Sequence, residues 1–375
     1  MIVAIPKETA DLEKRVAITP ETVEKLSELG LDILIEKDAG LASNYLDESY
    51  EKAGASVAED RERLFSSADI LISIQNPPEA DLNKLQEGSV LICFLWALQN
   101  EELVELLKSK GITALGMDAI PRISRAQNMD ALSSMSSIAG YKSALIGANN
   151  LDRYLPMMMT AAGTIAPAKV LILGAGVAGL QAIATAKRLG AVVEAFDIRP
   201  AVKEQVESLG ATFVEVPDLD EESETEGGYA KELAEDEQQR QRQVIHEHAK
   251  KSDIIITTAL IPGKAAPLLI TKEMVHDMHP GAVIVDLAAE QGGNCELTEA
   301  GETTIVNEVK IVGPLNIPSM LAYHASQLYS KNMWALLNHL LDEDGKPHFD
   351  FEDEITLKTT ITHEGEIISP MLKES

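Results

Sequence analysis

Short runs of apolar residues alternate with amphipathic stretches from the first residue to about position 120. The runs predict buried strands of a parallel sheet, because both faces of such a sheet are covered. They lie at Ile2 to Ile5, Asp32 to Ile35, Ile70 to Ile74, Val90 to Phe94 and Ile112 to Leu115. Between the first two runs, Thr19 and Pro20 predict the start of a helix and Gly30 predicts its end. This alternation is typical of an α/β domain.

A second α/β pattern follows a Met-rich connector from Leu155 to Thr160. Its predicted strands are Lys169 to Leu173, Ala191 to Phe196, Thr212 to Val216, Asp253 to Thr257, Ala282 to Leu287 and Val309 to Val312. A helical pattern returns from Pro318 to Leu341, and the tail from Ile355 to Ile368 alternates about a Glu364-Gly365 turn like a hairpin. We expect this tail to pack on the first domain, because it follows the last strand of the second sheet.

The predicted fold class is α/β, with two Rossmann-like domains that are separated by a cleft. Each domain is expected to be a doubly wound parallel sheet, and a C-terminal helix and hairpin complete the chain. The first domain is predicted to comprise residues 1–132 and 322–375, and the second residues 133–321. A chain of 375 residues is long enough to bury two such cores.

The charge of the chain narrows the choice of partners. There are 60 acidic and 32 basic residues, which leave a formal net charge of −28. So negative a surface repels nucleic-acid phosphates and anionic lipid headgroups, and we expect neither nucleic-acid binding nor direct membrane insertion. The same charge is also consistent with a solvated, salt-adapted surface that carries no information about catalysis.

The sequence indicates no export and no metal. The stretch from Met1 to Lys7 lacks the basic and long apolar regions of a signal peptide and predicts a first strand. Cys93 and Cys295 show no zinc or disulfide spacing, which favours a reducing compartment. The weakly polar stretch from Val170 to Ala186 is too short to span a bilayer.

An acidic segment from Pro217 to Glu226 precedes Gly227, Gly228 and Tyr229. Six acids and one leucine predict a mobile surface loop, because no core can hold such a composition. An inert acidic linker is one interpretation. A lone aromatic residue at the loop tip, Tyr229, favours a functional loop instead.

The sequence GAGVAG directly follows the apolar strand that is predicted to end at Leu173. In such a context Gly174 permits the tight turn, and Gly176 lets the backbone approach a pyrophosphate. Gly179 allows the following helix to pack closely on the strand, and the N-terminus of that helix supplies N–H groups to an anion. The pattern predicts a dinucleotide-binding turn in the second domain.

Asp197 ends the next predicted strand, 18 residues after Gly179. A carboxylate at this point can bind both ribose hydroxyls of an adenosine and would repel a 2′-phosphate, so NAD(H) is favoured over NADP(H). Arg199 could accept such a phosphate, but Asp197 at the ribose position outweighs it. The alternative is a glycine turn in an unliganded sheet with an ordinary surface aspartate.

A second polar cluster lies at the seam between the two predicted domains. Residues 121–134, with the sequence PRISRAQNMDALSS, combine a guanidinium, an amide, a carboxylate and hydroxyls. In a two-domain α/β enzyme the reactive end of a cofactor lies in the cleft outside the carboxyl ends of the strands. The cluster is equally consistent with a polar loop in which Asp130 caps the next helix.

These residues resemble the NAD(H)-binding component of proton-translocating NAD(P) transhydrogenases. The likeness runs through nearly the whole chain. It is carried by Lys7-Glu8, Arg15-Val16-Ala17, PRISRAQ from Pro121, the segment from Met157 to Gly163, GAGVAGLQAIATAKRLGA from Gly174, the segment from Gly227 to Lys231 and the segment from Thr257 to Lys264. Alanine dehydrogenases are relatives that share the architecture and the region of Arg15.

Alanine dehydrogenases use a lysine and a histidine of the first domain for their proton chemistry. At the corresponding positions this chain has Gln75 and Trp96, and neither side chain can act as a general acid or base near pH 7. We therefore expect a site that binds NAD(H) and holds its nicotinamide, without amino-acid chemistry.

The resemblance also implies roles for individual residues. It assigns Arg122, Asp130 and Ser133 to the nicotinamide carboxamide, Gln127 to the NADP(H) nucleotide of a partner subunit, and Tyr229 to the tip of a loop that closes over bound nucleotide. The predicted cofactor site is completed by Ile123, Ser124, Asn128, Met129, Gly174, Gly176, Val177, Ala178, Gly179, Asp197, Ile198, Arg199, Gly228, Gln241 and Leu260.

The implied reaction is direct hydride transfer between NAD(H) on this chain and NADP(H) on a partner subunit, so that positioning replaces acid–base catalysis. The resemblance further implies a homodimer, an NADP(H)-binding beta subunit and a membrane-spanning subunit that translocates protons. It places the chain in the cytoplasm, peripheral to the inner membrane. Two alternatives remain: a dehydrogenase of the alanine type and a non-catalytic NAD(H)-sensing protein.

Overall fold

A computed structural model of the chain describes residues 1–216, 235–261, 264–342 and 345–373. The chain forms two compact units: unit 1 comprises Met1–Met135 and Ser319–Ser375, and unit 2 comprises Ser136–Pro318. The acidic segment from Pro217 and the predicted loop residues Gly228 and Tyr229 lie outside the described residues.

The strands and helices follow one another along the chain in a regular α/β alternation. The strands are β1 (Ile2–Ile5), β2 (Asp32–Glu36), β3 (Ser56–Ala58), β4 (Ile70–Gln75), β5 (Val90–Phe94), β6 (Thr113–Gly116), β7 (Met158–Thr160), β8 (Gly163–Ile165), β9 (Lys169–Leu173), β10 (Val192–Phe196), β11 (Thr212–Val214), β12 (Ile254–Thr257), β13 (Val283–Asp286), β14 (Thr303–Val306), β15 (Val309–Val312), β16 (Thr360–His363) and β17 (Glu366–Ile367). The α-helices are α1 (Pro20–Glu28), α2 (Asp47–Lys52), α3 (Arg61–Ser66), α4 (Glu79–Leu82), α5 (Glu101–Ser109), α6 (Ala131–Asn150), α7 (Val177–Arg188), α8 (Lys203–Ser208), α9 (Glu235–Ala249), α10 (Lys272–Asp277), α11 (Ala322–Leu340), α12 (Glu354–Thr359) and α13 (Pro370–Lys373).

The sheet of unit 1 has the strand order β17-β16-β6-β5-β4-β1-β2-β3. The six strands from β6 to β3 in this order are parallel to their neighbours, whereas β16 pairs with β6 and β17 in the antiparallel direction. The C-terminal tail therefore completes the first sheet, which confirms the prediction that it packs on the first α/β region.

The sheet of unit 2 has the strand order β11-β10-β9-β12-β13-β15-β14, and only β14 runs antiparallel to its neighbour. The order reverses at β9, since the chain adds β10 and β11 on one side and β12 and β13 on the other. This is the order of a doubly wound dinucleotide fold, in which ligands bind outside the carboxyl ends of the strands at the point of reversal. The predicted fold class is confirmed in both sheets.

Both faces of the unit 2 sheet are covered by apolar side chains. Along β9, Val170 and Ile172 belong to one hydrophobic cluster, and the alternating Leu171 and Leu173 belong to another on the opposite face. Burial on both faces explains why the predicted strands lack a polar alternation. None of the helices among the described residues combines the length and hydrophobicity that crossing a bilayer requires.

Several local predictions need correction. The stretch Ile355 to Thr359 was expected to be the first arm of a hairpin, but it lies in α12, because the side chain of Asp353 caps this helix by accepting from the N–H groups of Ile355 (2.8 Å) and Thr356 (3.3 Å). Thr19 occupies the N-cap position of α1 but makes no capping hydrogen bond, and its hydroxyl donates to Ser330 instead (3.2 Å). The Met-rich connector contains β7, which forms a hairpin with β8.

Candidate functional site

The glycine turn of unit 2 connects β9 to α7. Gly174 has a φ of +101°, a conformation that L side chains rarely adopt, and a Cβ there would lie 2.5 Å from the hydroxyl oxygen of Thr258. A Cβ at Gly179 would lie 1.9 Å from the carbonyl oxygen of Gly174, so only glycine lets α7 approach the turn this closely. By contrast, a Cβ at Gly176 would meet nothing within 4 Å.

This contrast tests whether a dinucleotide fits the turn. Gly174 and Gly179 are required by the fold itself, whereas Gly176 faces open space and has an ordinary backbone conformation (φ −75°, ψ −167°). Glycine at a position without an internal constraint fits a turn that an outside group must approach closely, as a pyrophosphate does. Val177 and Ala178 begin α7, whose N-cap has no side-chain hydrogen bond.

Asp197 directly follows β10, and its carboxylate contacts the glycine turn. One oxygen accepts from the N–H of Ala175 (2.7 Å), and the other accepts from the N–H of Arg199 (2.9 Å). The Arg199 guanidinium adds hydrogen bonds to both oxygens at 2.9 and 2.8 Å. Ile198 is half-buried between these two residues in the sequence. Asp197 therefore belongs to the turn as a structural acceptor, beyond the ribose role predicted for it.

The segment after β12 approaches the same turn from the other side of β9. The hydroxyl of Thr258 donates to the carbonyl oxygens of Gly174 (3.1 Å) and Leu173 (3.3 Å). Leu260, two residues further on, has a side chain that is 40% exposed. Gln241, another predicted contact, is buried on α9. Thr258 was not predicted as a site residue, although its position directly after a buried strand is typical of one.

The polar cluster of residues 121–134 lies at the end of the first segment of unit 1 and leads into α6. A 3₁₀ helix spans Ser124–Met129, and Asp130 caps α6 by accepting from the N–H (2.8 Å) and the hydroxyl (2.5 Å) of Ser133. The capping role left open by the sequence is thus present. Gln127 and Arg122 are exposed, and Ile123 is half-buried.

Two tertiary contacts hold this 3₁₀ helix. The Nδ2 atom of Asn332 on α11 donates to the carbonyl oxygen of Asn128 (2.8 Å), while Met129 is buried beside it. The guanidinium of Arg125 pairs with Asp353 at 2.9 Å. Neither Asn332 nor Asp353 was predicted, because each lies about 200 residues from its partner in the sequence. The exposed side chain of Gln127 is therefore carried by an anchored backbone.

Gln75 and Trp96 stand where a dehydrogenase of the alanine type would need its lysine and histidine. The Nε2 atom of Gln75 donates to Glu13 (3.2 Å), and the ring of Trp96 stacks on Phe94 with centroids 5.6 Å apart. Arg15 is enclosed with Glu13, which accepts from its Nε (2.7 Å) and Nη2 (2.6 Å) atoms. Burial alone would raise the pKa of Glu13, but the hydrogen bonds and charge of Arg15 outweigh it and lower that pKa to about 2.

Glu8 is a titratable group in the same region that the sequence did not single out for chemistry. Its carboxylate accepts from the N–H groups of Ile74 (2.6 Å) and Gln75 (3.3 Å). Burial raises the pKa of this carboxyl to about 7, against the lowering effect of these two hydrogen bonds. The cavity beside Glu8 and Gln75 has a volume of about 10 Å³, which is room for one water molecule at most.

The two halves of the chain match two models of one protein family. The model described as "Alanine dehydrogenase/PNT, N-terminal domain" matches residues 4–139, and the model described as "Alanine dehydrogenase/PNT, C-terminal domain" matches residues 143–370. The chain belongs to the alanine dehydrogenase/PNT family. Both branches of the alanine dehydrogenase/PNT family are represented among its relatives.

On the transhydrogenase side, the chain is 49% identical to an NAD(P) transhydrogenase alpha subunit of Rhodospirillum rubrum, over 99% of each chain. A solved transhydrogenase from Sinorhizobium meliloti is 45% identical, with a TM-score of 0.89, over 98% of this chain and 100% of that one. On the other side, a solved L-alanine dehydrogenase is 26% identical, with a TM-score of 0.81, over 100% of this chain and 98% of that one. These matches confirm the resemblance inferred from the sequence and the prediction of an enzyme of the transhydrogenase group.

The structure brings some of the predicted site residues together within each unit. In unit 2, the turn from Gly174 to Gly179 contacts Asp197 and, through Thr258, the segment that carries Leu260. In unit 1, the residues from Arg122 to Ser133 form one continuous capped segment. Their contacts with a cofactor stay predictions.

Proposed function

We propose that this chain is the NAD(H)-binding catalytic subunit of a proton-translocating NAD(P) transhydrogenase. Hydride passes directly between NAD(H) on this chain and NADP(H) on a partner subunit. The observation that supports this proposal most is the glycine turn, whose Gly176 faces open space and whose Asp197 follows the adjoining strand. The turn occurs in a chain that is 49% identical to a transhydrogenase alpha subunit.

The bound dinucleotide would supply the hydride chemistry itself, and the protein residues would bind and orient it. Gly176 and the N-terminus of α7 bind the pyrophosphate, and Asp197 binds the adenosine ribose. By resemblance, Arg122, Asp130 and Ser133 hold the nicotinamide carboxamide. No residue has to move a proton in this reaction, which is consistent with catalysis by positioning.

The environment of Gln75 and Trp96 favours this reaction over oxidation of an amino acid. An amide and an indole cannot exchange the proton that carbonyl and amine chemistry requires. Arg15, a cation that could bind a substrate carboxylate, already forms a two-point pair with Glu13. The adjoining cavity of about 10 Å³ is smaller than any 2-oxo acid.

The assembly is proposed from the resemblance and from the names of the relatives. The chain would form a homodimer and associate with an NADP(H)-binding beta subunit and a membrane-spanning subunit that translocates protons. It would thereby be held at the cytoplasmic face of the inner membrane. Gln127, exposed on its anchored 3₁₀ helix, would contact the NADP(H) nucleotide of the beta subunit. Gly228 and Tyr229 are proposed as part of a closing loop.

The proposal is tested by mixing the purified chain with a separately purified NADP(H)-binding partner domain. NADPH and an NAD analogue with a shifted absorption maximum are added, and reduction of the analogue is followed. Transfer that needs both proteins is the expected result. Turnover of pyruvate and ammonia with NADH by the chain alone would favour the alanine-type alternative. Tight NADH binding without any transfer would favour a sensor.

A further inference from the structure

Asn294 lies in the turn that follows β13 and is fully buried. Its side-chain Nδ2 atom donates to the carbonyl oxygens of Ala259 (2.9 Å) and Pro267 (2.8 Å), and its Oδ1 atom accepts from the N–H of Ala259 (3.1 Å). One carboxamide thus satisfies both polar groups of the Ala259 backbone, as a neighbouring strand would. Only an amide of this length offers a donor and an acceptor in that arrangement.

Asn294 is itself held in place before it holds Ala259. Its carbonyl oxygen accepts from the N–H groups of Leu269 (2.8 Å) and Ile270 (3.0 Å). The N–H of the next residue, Cys295, donates to the buried carboxylate of Asp286 (3.0 Å), which ends β13. The Asn294 side chain therefore projects from a rigid backbone.

Ala259 stands between two residues that concern the dinucleotide site. On its N-terminal side, Thr258 donates a hydrogen bond to the carbonyl oxygen of Gly174 in the glycine turn (3.1 Å). On its C-terminal side lies Leu260, a predicted cofactor contact that is 40% exposed. The backbone that Asn294 fixes is the backbone that presents Leu260.

The sheet order places this segment in one half of the site. The two halves of a doubly wound dinucleotide fold lie on either side of the point of reversal, and each binds one mononucleotide. Asp197 follows β10 on the side of the glycine turn's own half, where the adenosine is bound. Ala259 and Leu260 follow β12, the first strand beyond the reversal, and so belong to the nicotinamide half.

We propose that Asn294 is a positioning residue for the nicotinamide half of the dinucleotide, acting through Ala259 on Leu260 without contacting the cofactor itself. This inference rests on the proposed function, because it presupposes that NAD(H) binds at the glycine turn. It predicts that a change at Asn294 affects the two halves of the ligand unequally.

The test is the variant Asn294→Asp in the full chain, with NADH and ADP as separate probes measured by calorimetry. The aspartate keeps the shape but turns the Nδ2 donor into an acceptor that faces two carbonyl oxygens, at a cost comparable to unsatisfied buried groups. NADH affinity should fall by about tenfold, while ADP affinity should stay within about twofold. Asn307→Asp, in an exposed turn of the same unit, is the matched control and should change neither.

The outcomes separate a local role from a general one. Equal losses of NADH and ADP affinity with a lower unfolding temperature would show that Asn294 merely stabilises unit 2, and unchanged NADH affinity would also overturn the inference. If Asn294→Asp does not fold, Asn294→Ser, which removes the carboxamide without adding charge, is measured in the same way and against the same criteria. Failure of the unaltered chain to bind NADH would reject the proposed function itself.

Discussion

The guanidinium of Arg199 binds both oxygens of the Asp197 carboxylate, at 2.9 Å through Nε and at 2.8 Å through Nη2. The N–H groups of Arg199 and Ala175 occupy the remaining acceptor positions, so the roughly four lone-pair sites of this carboxylate are all used within the protein. A ribose hydroxyl that donates to Asp197 must therefore share or replace a contact with Arg199. The arginine side chain is the more adjustable partner, since the Ala175 contact belongs to the glycine turn.

Replacing Asp197 with alanine should weaken NADH binding and reduce the preference for NADH over NADPH. The ribose loses its charged acceptor, which corresponds to about 1.5 to 3 kcal/mol or roughly tenfold or more in affinity. NADPH should lose much less, because the repulsion of its 2′-phosphate disappears while the guanidinium of Arg199 stays. Fluorescence titration with each nucleotide measures both affinities.

The control for Asp197 is Asp152→Ala, which removes an exposed carboxylate of the same unit that pairs with Lys310 at 3.6 Å. This variant should bind NADH like the unaltered chain. An Asp197→Ala protein that binds NADH normally would remove Asp197 from the ribose and leave it only the structural contacts with Ala175 and Arg199.

Replacing Gly176 with alanine should separate ligand binding from stability. The added methyl meets no protein atom within 4 Å, so the free energy of unfolding should change by no more than about 0.5 kcal/mol. NADH affinity should fall at least tenfold, because the methyl occupies the space through which a pyrophosphate approaches the backbone. Thermal unfolding and NADH titration on one preparation measure both quantities.

The comparison variant is Gly179→Ala, in which the new methyl would lie 1.9 Å from the carbonyl oxygen of Gly174. This variant should lose stability as well as affinity. If Gly176→Ala binds NADH with unchanged affinity, the open face of the turn is not the pyrophosphate site, and the dinucleotide assignment loses its main support.

The sequence predicted the buried strands well and the exposed ones poorly. The bounds of β1 and β9 agree at both ends, because an uninterrupted apolar run in a parallel sheet is buried on both faces. The hairpin of β7 and β8 was missed, since Met157 and Met159 are largely exposed and the pattern there lacks both an apolar run and a strong turn sequence. The strand β14 was missed for a similar reason, with Ile305 facing solvent.

The candidate site shows the same division between local and tertiary information. The glycine turn could be predicted because its constraints act within a few residues of Gly174. The contacts of Asn294 with Ala259 span 35 residues, and those of Asn332 with Asn128 span 204, so no local pattern could indicate them. The raised pKa of Glu8 depends on enclosure by β4, which the sequence position of Glu8 does not express.

Changing Gln127 to asparagine should slow hydride transfer and leave NADH affinity nearly intact. Gln127 is exposed on the 3₁₀ helix Ser124–Met129, and its proposed contact is with the nucleotide of the partner subunit. Shortening the side chain by one methylene withdraws its amide from that contact, so transfer with the NADP(H)-binding partner should fall by roughly tenfold or more. Stopped-flow transfer and NADH titration give the two quantities.

Gln99→Asn is a matched control, because Gln99 is also an exposed glutamine in a 3₁₀ helix of unit 1. It should alter neither quantity. A parallel loss of NADH affinity in Gln127→Asn would assign Gln127 to this chain's own nucleotide instead of the partner's.

Glu8 gives the protein a pH-dependent stability with a definite sign. Burial raises its pKa from 4.5 to about 7, so between these values the folded chain binds a proton that the unfolded chain has released. Stability contributed by this group is present at low pH and is lost as the pH rises through about 7. Glu13 has the opposite shift, to about 2, and stays ionised in both states above pH 6, so it does not contribute in that window.

Replacing Glu8 with glutamine, which remains neutral, should therefore stabilise the protein increasingly as the pH rises. Relative to the unaltered chain, the free energy of unfolding of Glu8→Gln should rise by about 1 to 3 kcal/mol between pH 5 and pH 8, as urea denaturation would measure. Glu24→Gln, an exposed change on α1, should leave that difference constant over the same range. If the two variants give parallel curves, the Glu8 carboxyl does not take up a proton on folding near neutral pH, and its enclosure beside Gln75 is looser than the contacts with Ile74 and Gln75 indicate.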